Sequence, residues 1–417
     1  MSPYVADIED AQYASYADNA LIDACGPVLS PVEIGKRVIH IPAVPANVTN
    51  VPRHLLDHLI TDVRRMHIPT GAGISLASCV GRMIRQGYVH RNPAHAATWR
   101  RIYSQIGPQA ATSPIQLGAV VTGLSGVGKS TAIERALQLY RQVVTHRSLP
   151  GLSGEVRQLI WLKVDVPASG KTTDLVESLA RATDDALGAN FTNDLFGGRK
   201  LQGATLAHRW LQKVSCNFPG LLVLDEIQNL FKIEQKAVRQ SASRRTGAQR
   251  PELRIADDEA LKLLLTLSNH SKIPMLFCST PDGLNALTTR WSTAQRMTTG
   301  GMHRIPHAEA ADDDFFRKML FPQLCRYQVL PKKLPASDEL RQLLFELSGG
   351  ILRICMSLWG HAHTRAIELG AEGLAFEHFR HAAANTLAPV QPAVRALLSN
   401  DPRAQQLYED MISHPSL

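Results

Sequence analysis

Three things are scarce in this chain of 417 residues. Cysteine is the first: the six, at positions 25, 79, 216, 278, 325 and 355, contain no C-x-x-C pair. That excludes a disulfide-stapled framework and supplies no zinc spacing. The 16 histidines form no H-E-x-x-H or comparable cluster, so both residue types read as core and surface side chains rather than ligands. Long apolar runs are the second absence. None reaches fifteen residues and the mean hydropathy is -0.10, which excludes a membrane-spanning helix. The opening residues, Met1 to Asp7, have no apolar core and give no signal-peptide pattern, so a soluble, intracellular protein with no membrane partner is expected.

The third absence is positive charge at the start. No Lys or Arg precedes Lys36, while Asp7, Glu9, Asp10, Asp18, Asp23 and Glu33 give the first 35 residues a charge of -6. The whole chain carries +8, which leaves +14 for the remainder. A surplus of that size points to a polyanionic partner, nucleic acid first. With 44% hydrophobic and 20% charged residues the composition is that of a globular protein, not a disordered one. The length allows two or three domains of roughly 100–200 residues each.

Patterning divides the chain. Residues 1–52 read as an acidic arm and a Pro/Val/Asn-rich connector. Residues 53–110 form a helical N-terminal region, with helical spacing over 53–65 and 76–86 and a break expected at Asn92-Pro93. Residues 111–311 alternate strands (117–122, 159–166, 221–224, 275–278) with helices (130–144, 172–187, 206–214, 259–268). Such alternation predicts a parallel sheet covered by helices on both faces. Residues 312–400 are helical throughout, with helices expected over 315–327, 337–347, 351–369 and 374–386, and 401–417 form a tail.

The strongest chemical signal is Gly123-Leu124-Ser125-Gly126-Val127-Gly128-Lys129-Ser130, followed by Thr131. It matches G-x-x-x-x-G-K-[ST] between a predicted strand and a predicted helix, the phosphate-binding P-loop. Its glycines let backbone N–H groups turn toward phosphates, and the following helix directs its positive end at the same charge. Lys129 is expected to reach the β- and γ-phosphates of ATP, and Ser130 to hold Mg²⁺. Downstream by 96 residues from Lys129, the apolar run Leu221-Leu222-Val223-Leu224 ends in Asp225-Glu226. Asp225 is placed to orient the Mg²⁺ shell, and Glu226 to act as general base on the attacking water. The pair argues for hydrolysis. A third strand ends Cys278-Ser279-Thr280-Pro281, where Thr280, with Ser279 as runner-up, is a candidate for sensing the γ-phosphate or positioning water.

This order of P-loop, Asp-Glu strand, polar strand end and helical domain resembles AAA+ ATPases. Further stretches resemble the TnsC/TniB branch, ATP-dependent regulators of DNA transposition. They are Gly87-Tyr88-Val89-His90-Arg91-Asn92-Pro93, Leu224-Asp225-Glu226-Ile227-Gln228-Asn229-Leu230, Ser279-Thr280-Pro281-Asp282, Arg326-Tyr327-Gln328, Ser348-Gly349-Gly350-Ile351 and Arg365 to Gly370. The likeness spans about residues 50 to 400. The resemblance implies an α/β P-loop NTPase with an all-α lid, and a homo-oligomeric ring or filament on duplex DNA. It implies a link between a target-selector protein and transposase subunits, with hydrolysis driving disassembly, in a bacterial cytoplasm. It also makes Arg296 (then Arg290) the candidate arginine offered to a neighbour's site, and Arg353 the candidate nucleotide-sensing arginine of the lid. The chain departs from many relatives at Ser279, where they have Gly, and at Gly349, where they have Gln. A replication-initiator or helicase-loader-like AAA+ ATPase is the alternative, and a nucleotide-gated scaffold with little turnover a further one.

Residues 231–255 carry seven basic and two acidic side chains and are a candidate phosphate-contacting insertion, as are Lys163, Lys171, Arg199 and Lys200. No basic stretch is interleaved with aromatics, so DNA contact is expected to be backbone-led and independent of sequence.

Overall fold

The computed structural model describes residues 16–44, 48–103, 117–198, 201–230, 263–264, 267, 273–288, 291–399, 401–405 and 408, apart from the side chains of 101, 285–288, 291–293 and 402. The basic insertion, Arg199, Lys200, Arg290 and most of the helix expected over 259–268 lie outside them.

Seven strands are present among these residues: β1 (Gly118–Thr122), β2 (Val143–His146), β3 (Val156–Leu159), β4 (Trp161–Asp165), β5 (Leu221–Asp225), β6 (Met275–Ser279) and β7 (Gly301–Arg304). Five form a parallel sheet in the order β4-β5-β6-β1-β7. The register aligns their C-terminal ends, setting Asp165 beside Asp225 and Thr122 beside both Ser279 and Arg304. Side chains alternate between the two faces, as the two-residue period of a strand requires. Val120, Leu222, Leu224, Met275 and Phe277 enter one apolar core, and Ala119, Val121, Leu221, Val223, Leu276 and Cys278 the other. Burial on both sides explains why these strands read as unbroken apolar runs. The architecture is the AAA+ P-loop fold: a parallel sheet flanked by helices and followed by a helical C-terminal region.

Nine α-helices precede β5 among the described residues: α1 (Ala20–Asp23), α2 (Pro31–Val38), α3 (Arg53–Ile60), α4 (Gly71–Val89), α5 (Ala96–Tyr103), α6 (Lys129–Leu137), α7 (Thr172–Leu187), α8 (Phe191–Phe196) and α9 (Gly203–Val214). The first core packs α7 and α9, and the second packs α4 and α6. A third core fills the C-terminal helices Asp338–Ser348 and Leu352–Glu368 with Phe316, Leu324 and Phe379. No single helix among the described residues is long and apolar enough to cross a membrane.

The structure departs from the sequence expectations in four places. The helix expected over 130–144 ends at Leu137, and the β-branched run Val143-Val144-Thr145 pairs antiparallel with β3 instead. The strand expected over 159–166 is two strands, because the chain changes partner at Ile160: up to Leu159 it pairs antiparallel with β2, and from Trp161 it pairs parallel with β5. β7 was not anticipated. Its four residues alternate between half-buried and exposed, so they show no apolar run.

The fourth departure concerns the acidic N-terminal segment, expected as an arm. Its described part is built into the fold. Ser30 and Glu33 form a capping box that starts α2, while Leu21, Ile22, Cys25, Ile34 and Val38 join the α4–α6 core. Buried Arg85 of α4 donates to the carbonyls of Gly26 and Pro27 (both 2.8 Å), and buried Asn19 donates to the Tyr88 carbonyl at 3.0 Å. The 53–110 region is likewise shared between layers: Leu56, Ile60 and Val63 pack into the C-terminal helical core, and α4 into the sheet core.

Candidate nucleotide site

The P-loop joins β1 to α6 and is bent by three glycines with positive φ: Gly123 (155°), Gly126 (83°) and Gly128 (98°). A side chain is excluded at Gly123 by close backbone approach as well as by conformation, and at Gly126 it would crowd neighbouring side chains. A Cβ at Gly123 would lie 2.5 Å from the Ile305 carbonyl oxygen, and one at Gly126 would lie 3.0 Å from Ile351 Cγ2. Gly128 caps α6 in the left-handed region, which leaves the first N–H groups of that helix directed into the loop. Val127 is buried beneath the loop, Ser125 and Thr131 are exposed, and Leu124, Gly126 and Ser130 are half-buried.

Lys129 is buried and crosses the inside of the loop. Its Nζ donates to the carbonyls of Gly123 (2.8 Å) and Leu124 (3.0 Å), and burial holds its pKa below the ordinary lysine value.

Asp225, at the end of β5, is 2% exposed. Its Oδ1 accepts from the Glu226 N–H at 2.9 Å and its Oδ2 lies 3.3 Å from Lys163 Nζ. Burial alone would push the Asp225 carboxyl up, but hydrogen bonds from Cys278 and Ser130, with the Lys163 charge, hold it below the usual carboxylate range. The structure therefore brings Ser130 and Asp225 together as a hydroxyl and a buried, ionised carboxylate. That donor set suits Mg²⁺, a hard cation taking oxygen ligands from one or two protein groups and from phosphate.

Glu226 follows on the open side. It is exposed, and its backbone sits at φ 56°, a left-handed conformation that costs a non-glycine residue about 1–3 kcal/mol. Its carboxylate accepts from the Gln228 side-chain amide, and the other end of that amide accepts weakly, at 3.5 Å, from the Thr280 N–H. Gln228 is held by a close approach: a Cβ on Gly283, in the helix Pro281–Thr288, would fall 2.6 Å from Gln228 Cβ. Thr280 is buried and its Oγ1 has no partner, whereas the Ser279 hydroxyl is engaged by the Thr280 carbonyl at 2.8 Å. Of the two strand-end hydroxyls, Thr280 is the one left available.

Arg353 reaches this site from the C-terminal helices. Its N–H donates to the Gly126 carbonyl at 3.0 Å, and its side chain is exposed beside the loop. Arg296 does not come to the site. It is exposed at the end of the helix Trp291–Met297, where its carbonyl abuts Gly118, the first residue of β1, at the opposite end of that strand from Gly123.

Two parts of the site escaped the sequence reading. The first is a small cavity between the P-loop and the C-terminal helices, lined by His67, Thr70, Ala132, Pro306, His307 and Phe316 among others. His67 is pushed down to about 4 by burial and so stays neutral near pH 7. These residues come from four distant stretches of chain, and no motif joins them. The second is Lys163, expected among the DNA-contacting lysines but paired instead with Glu134 (3.2 Å), Asp165 (3.0 Å) and Asp225 (3.3 Å). A lysine interrupting the apolar strand Trp161-Leu162-Lys163-Val164 was the signal available.

The fold and this glycine-lined turn beside a buried carboxylate define the class: a P-loop protein of AAA+ architecture. The family described as AAA domain matches residues 116–287. No curated protein matches the chain. Among solved structures the chain is similar to the Drosophila ORC bound to DNA, at 12% identity and TM-score 0.36, covering 90% of this chain and 70% of that one. It is also similar to the Aeropyrum pernix ORC2 protein in its ADP form, at 13% identity and TM-score 0.38, covering 69% and 72%. The ADPNP-ADP complexes of that protein give 13% identity and TM-score 0.39 over the same shares.

Proposed function

We propose that this protein is an Mg²⁺-dependent ATPase that oligomerises on duplex DNA and couples target-site selection to a transposase, with hydrolysis controlling disassembly. The observation that carries the ATPase reading is the pairing of Asp225 and Glu226. One carboxylate is buried, ionised and bonded to the P-loop serine; the next is exposed on the open side of the sheet. The transposition reading is supported by the resemblance of the Asp225–Leu230 stretch and its accompanying motifs to the TnsC/TniB branch.

In this reading the loop N–H groups and Lys129 hold the phosphates, and Ser130 and Asp225 hold Mg²⁺, which when bound neutralises charge on the phosphate oxygens. Glu226 accepts the proton of the attacking water, and Gln228 sets its orientation. Thr280 presents its free hydroxyl from the neighbouring strand end. Arg353 contacts the nucleotide from the helical lid, and Arg296 is offered to a neighbouring subunit.

The test is the ATPase rate with and without duplex DNA, read beside electron micrographs of the same mixtures. Glu226→Gln is expected to lower turnover by about 10²–10⁴-fold, to retain ATP, and to stabilise DNA-bound rings or filaments. Wild-type turnover in that variant removes Glu226 as the base. ATP hydrolysis without any DNA-bound oligomer removes the transposition reading in favour of another ATPase role.

A further inference from the structure

Glu226 leaves the sheet one residue before its ladder need end. In the parallel pair of β4 and β5 the Leu221 N–H meets the Ile160 carbonyl at 3.0 Å, and at the other end the Val166 N–H meets the Asp225 carbonyl at 2.9 Å. One further step would bring the Ile227 N–H to the Val166 carbonyl and keep Glu226 extended. Side chains alternate along a strand, so an extended Glu226 would share the face of Leu222 and Leu224, which is apolar core. Instead Glu226 turns into the left-handed region at φ 56°, Ile227 enters that core in its place, and the carboxylate stays exposed.

The donor that the ladder loses is replaced by a side chain. Asn229 Nδ2 donates to the Val166 carbonyl at 2.8 Å. A carbonyl only accepts, so the NH₂ end of the amide is the end that faces it. The Asn229 backbone N–H donates in turn to the Glu226 carbonyl at 3.0 Å, while the Glu226 N–H is held by Asp225 Oδ1 at 2.9 Å. Both peptide groups of the left-handed residue are therefore fixed, and Asn229 ties one of them to the neighbouring strand. The turn after β4 closes on Asn229 from the other side: a Cβ on Gly170 would lie 2.6 Å from its carbonyl oxygen. A residue without this amide would leave the Val166 carbonyl unpaired, which favours running β5 on through Ile227.

We propose that Asn229 is a positioning residue for ATP hydrolysis, its side-chain amide ending β5 and setting Glu226 in the left-handed conformation that keeps its carboxylate out of the core and on the open side of the sheet. It acts through Glu226 rather than on substrate. The inference rests on the reading of Glu226 as the general base.

The test compares full-length Asn229→Leu and Asn229→Asp, both without the amide donor, with Asn229→Leu also placed in the Glu226→Gln background. In each single variant kcat is expected to fall about 10-fold to 100-fold, the cost of misplacing a reacting group by about 1 Å, with ATP affinity within about twofold of wild type. Adding Asn229→Leu to Glu226→Gln should lower the residual turnover by less than about twofold, because the group being positioned is already gone. Amide hydrogen exchange should rise across residues 226–230 and not across the P-loop. Folded Asn229→Leu and Asn229→Asp proteins with wild-type turnover overturn the proposal. Full additivity with Glu226→Gln, or a loss of ATP affinity as large as the loss of kcat, makes Asn229 a general structural residue and overturns it equally. Wild-type turnover in Glu226→Gln alone removes the reading of Glu226 and this proposal with it. Lost turnover in Glu226→Gln beside retained turnover in Asn229→Leu removes this proposal only.

Discussion

The two ends of the parallel sheet differ in what their polar side chains do. At the C-terminal end the backbone is contorted and polar groups are left open: three P-loop glycines with positive φ, Glu226 at φ 56°, and a buried Thr280 hydroxyl with no partner. At the N-terminal end the chain is tied down. Buried Tyr88 donates its hydroxyl to the Phe218 carbonyl at 2.9 Å, and Arg91 donates to the carbonyls of Gly87 (2.6 Å) and Pro219 (2.7 Å), fixing the approach to β5. The guanidinium also lies 5.1 Å from the centre of the Tyr88 ring. Even Gly220 is crowded, since a Cβ there would sit 2.4 Å from the Ile160 carbonyl oxygen. Left-handed non-glycine backbone occurs at both ends, at Glu226 and at Phe218 (φ 45°), so strain does not distinguish them. What differs is that the strand-end Thr280 hydroxyl is left open at one end, while at the other Tyr88 and Arg91 are bonded to backbone carbonyls. The Gly87–Pro93 stretch, singled out in the sequence for its family resemblance, belongs to the anchored end.

The comparison can be broken from either side. The largest effect is expected at the anchored end: Arg91→Ala should cost about 3 kcal/mol of stability by leaving buried carbonyls unpaired, with nucleotide affinity per folded molecule unchanged. Denaturant unfolding beside fluorescent-nucleotide titration separates the two quantities.

Lys129→Ala is the converse. It should weaken ATP binding by about 100-fold, the worth of a charge-assisted contact to phosphate, while its stability cost without nucleotide stays below that of Arg91→Ala, because the bonds to the Gly123 and Leu124 carbonyls are lost together with the desolvation of the buried ammonium.

A third prediction concerns the C-terminal helices above the open end. His363 is buried there, with one ring nitrogen 2.8 Å from the Trp359 carbonyl and the other unpartnered, and burial pushes its pKa down to about 4. A folded-state pKa below the unfolded one means that the folded form binds the proton less readily. This contribution is therefore full above about pH 6.5 and is lost as pH falls toward about 4. Trp359 fluorescence should report the loss, and His363→Leu should remove that part of the pH dependence.

The smallest effect is expected at Glu226→Gly. Relief of the left-handed backbone should stabilise the fold by about 1 kcal/mol while ATP turnover is lost. A variant that is both inactive and less stable would mean that the conformation is not strained.

The readable parts of the site were those whose chemistry is contiguous in sequence. A phosphate cradle needs its glycines, lysine and serine within one loop, and Asp225 and Glu226 share one strand end. Thr280 was legible because parallel strands deliver their C-terminal residues to one edge. The acidic composition of the N-terminal segment points to an arm and masks Ser30-Pro31-Val32-Glu33, a capping box and helix start that the sequence contains. The charge of Lys163 is visible in the sequence and suggests a DNA contact, whereas its three partners lie 29 residues before it, two after it and on the next strand.

By itself, then, the sequence determined the class of sheet, the phosphate loop and the order of the chemical groups, because hydrophobic periodicity and short-range backbone geometry are local properties. The tertiary structure alone decided which charges meet. It paired Lys163 with Glu134, Asp165 and Asp225, set Gln228 between Glu226 and Thr280, left Thr280 rather than Ser279 unpaired, and kept Arg296 at the far end of the sheet. Each of these depends on strand register and on burial, which set distance and dielectric between residues far apart in the chain.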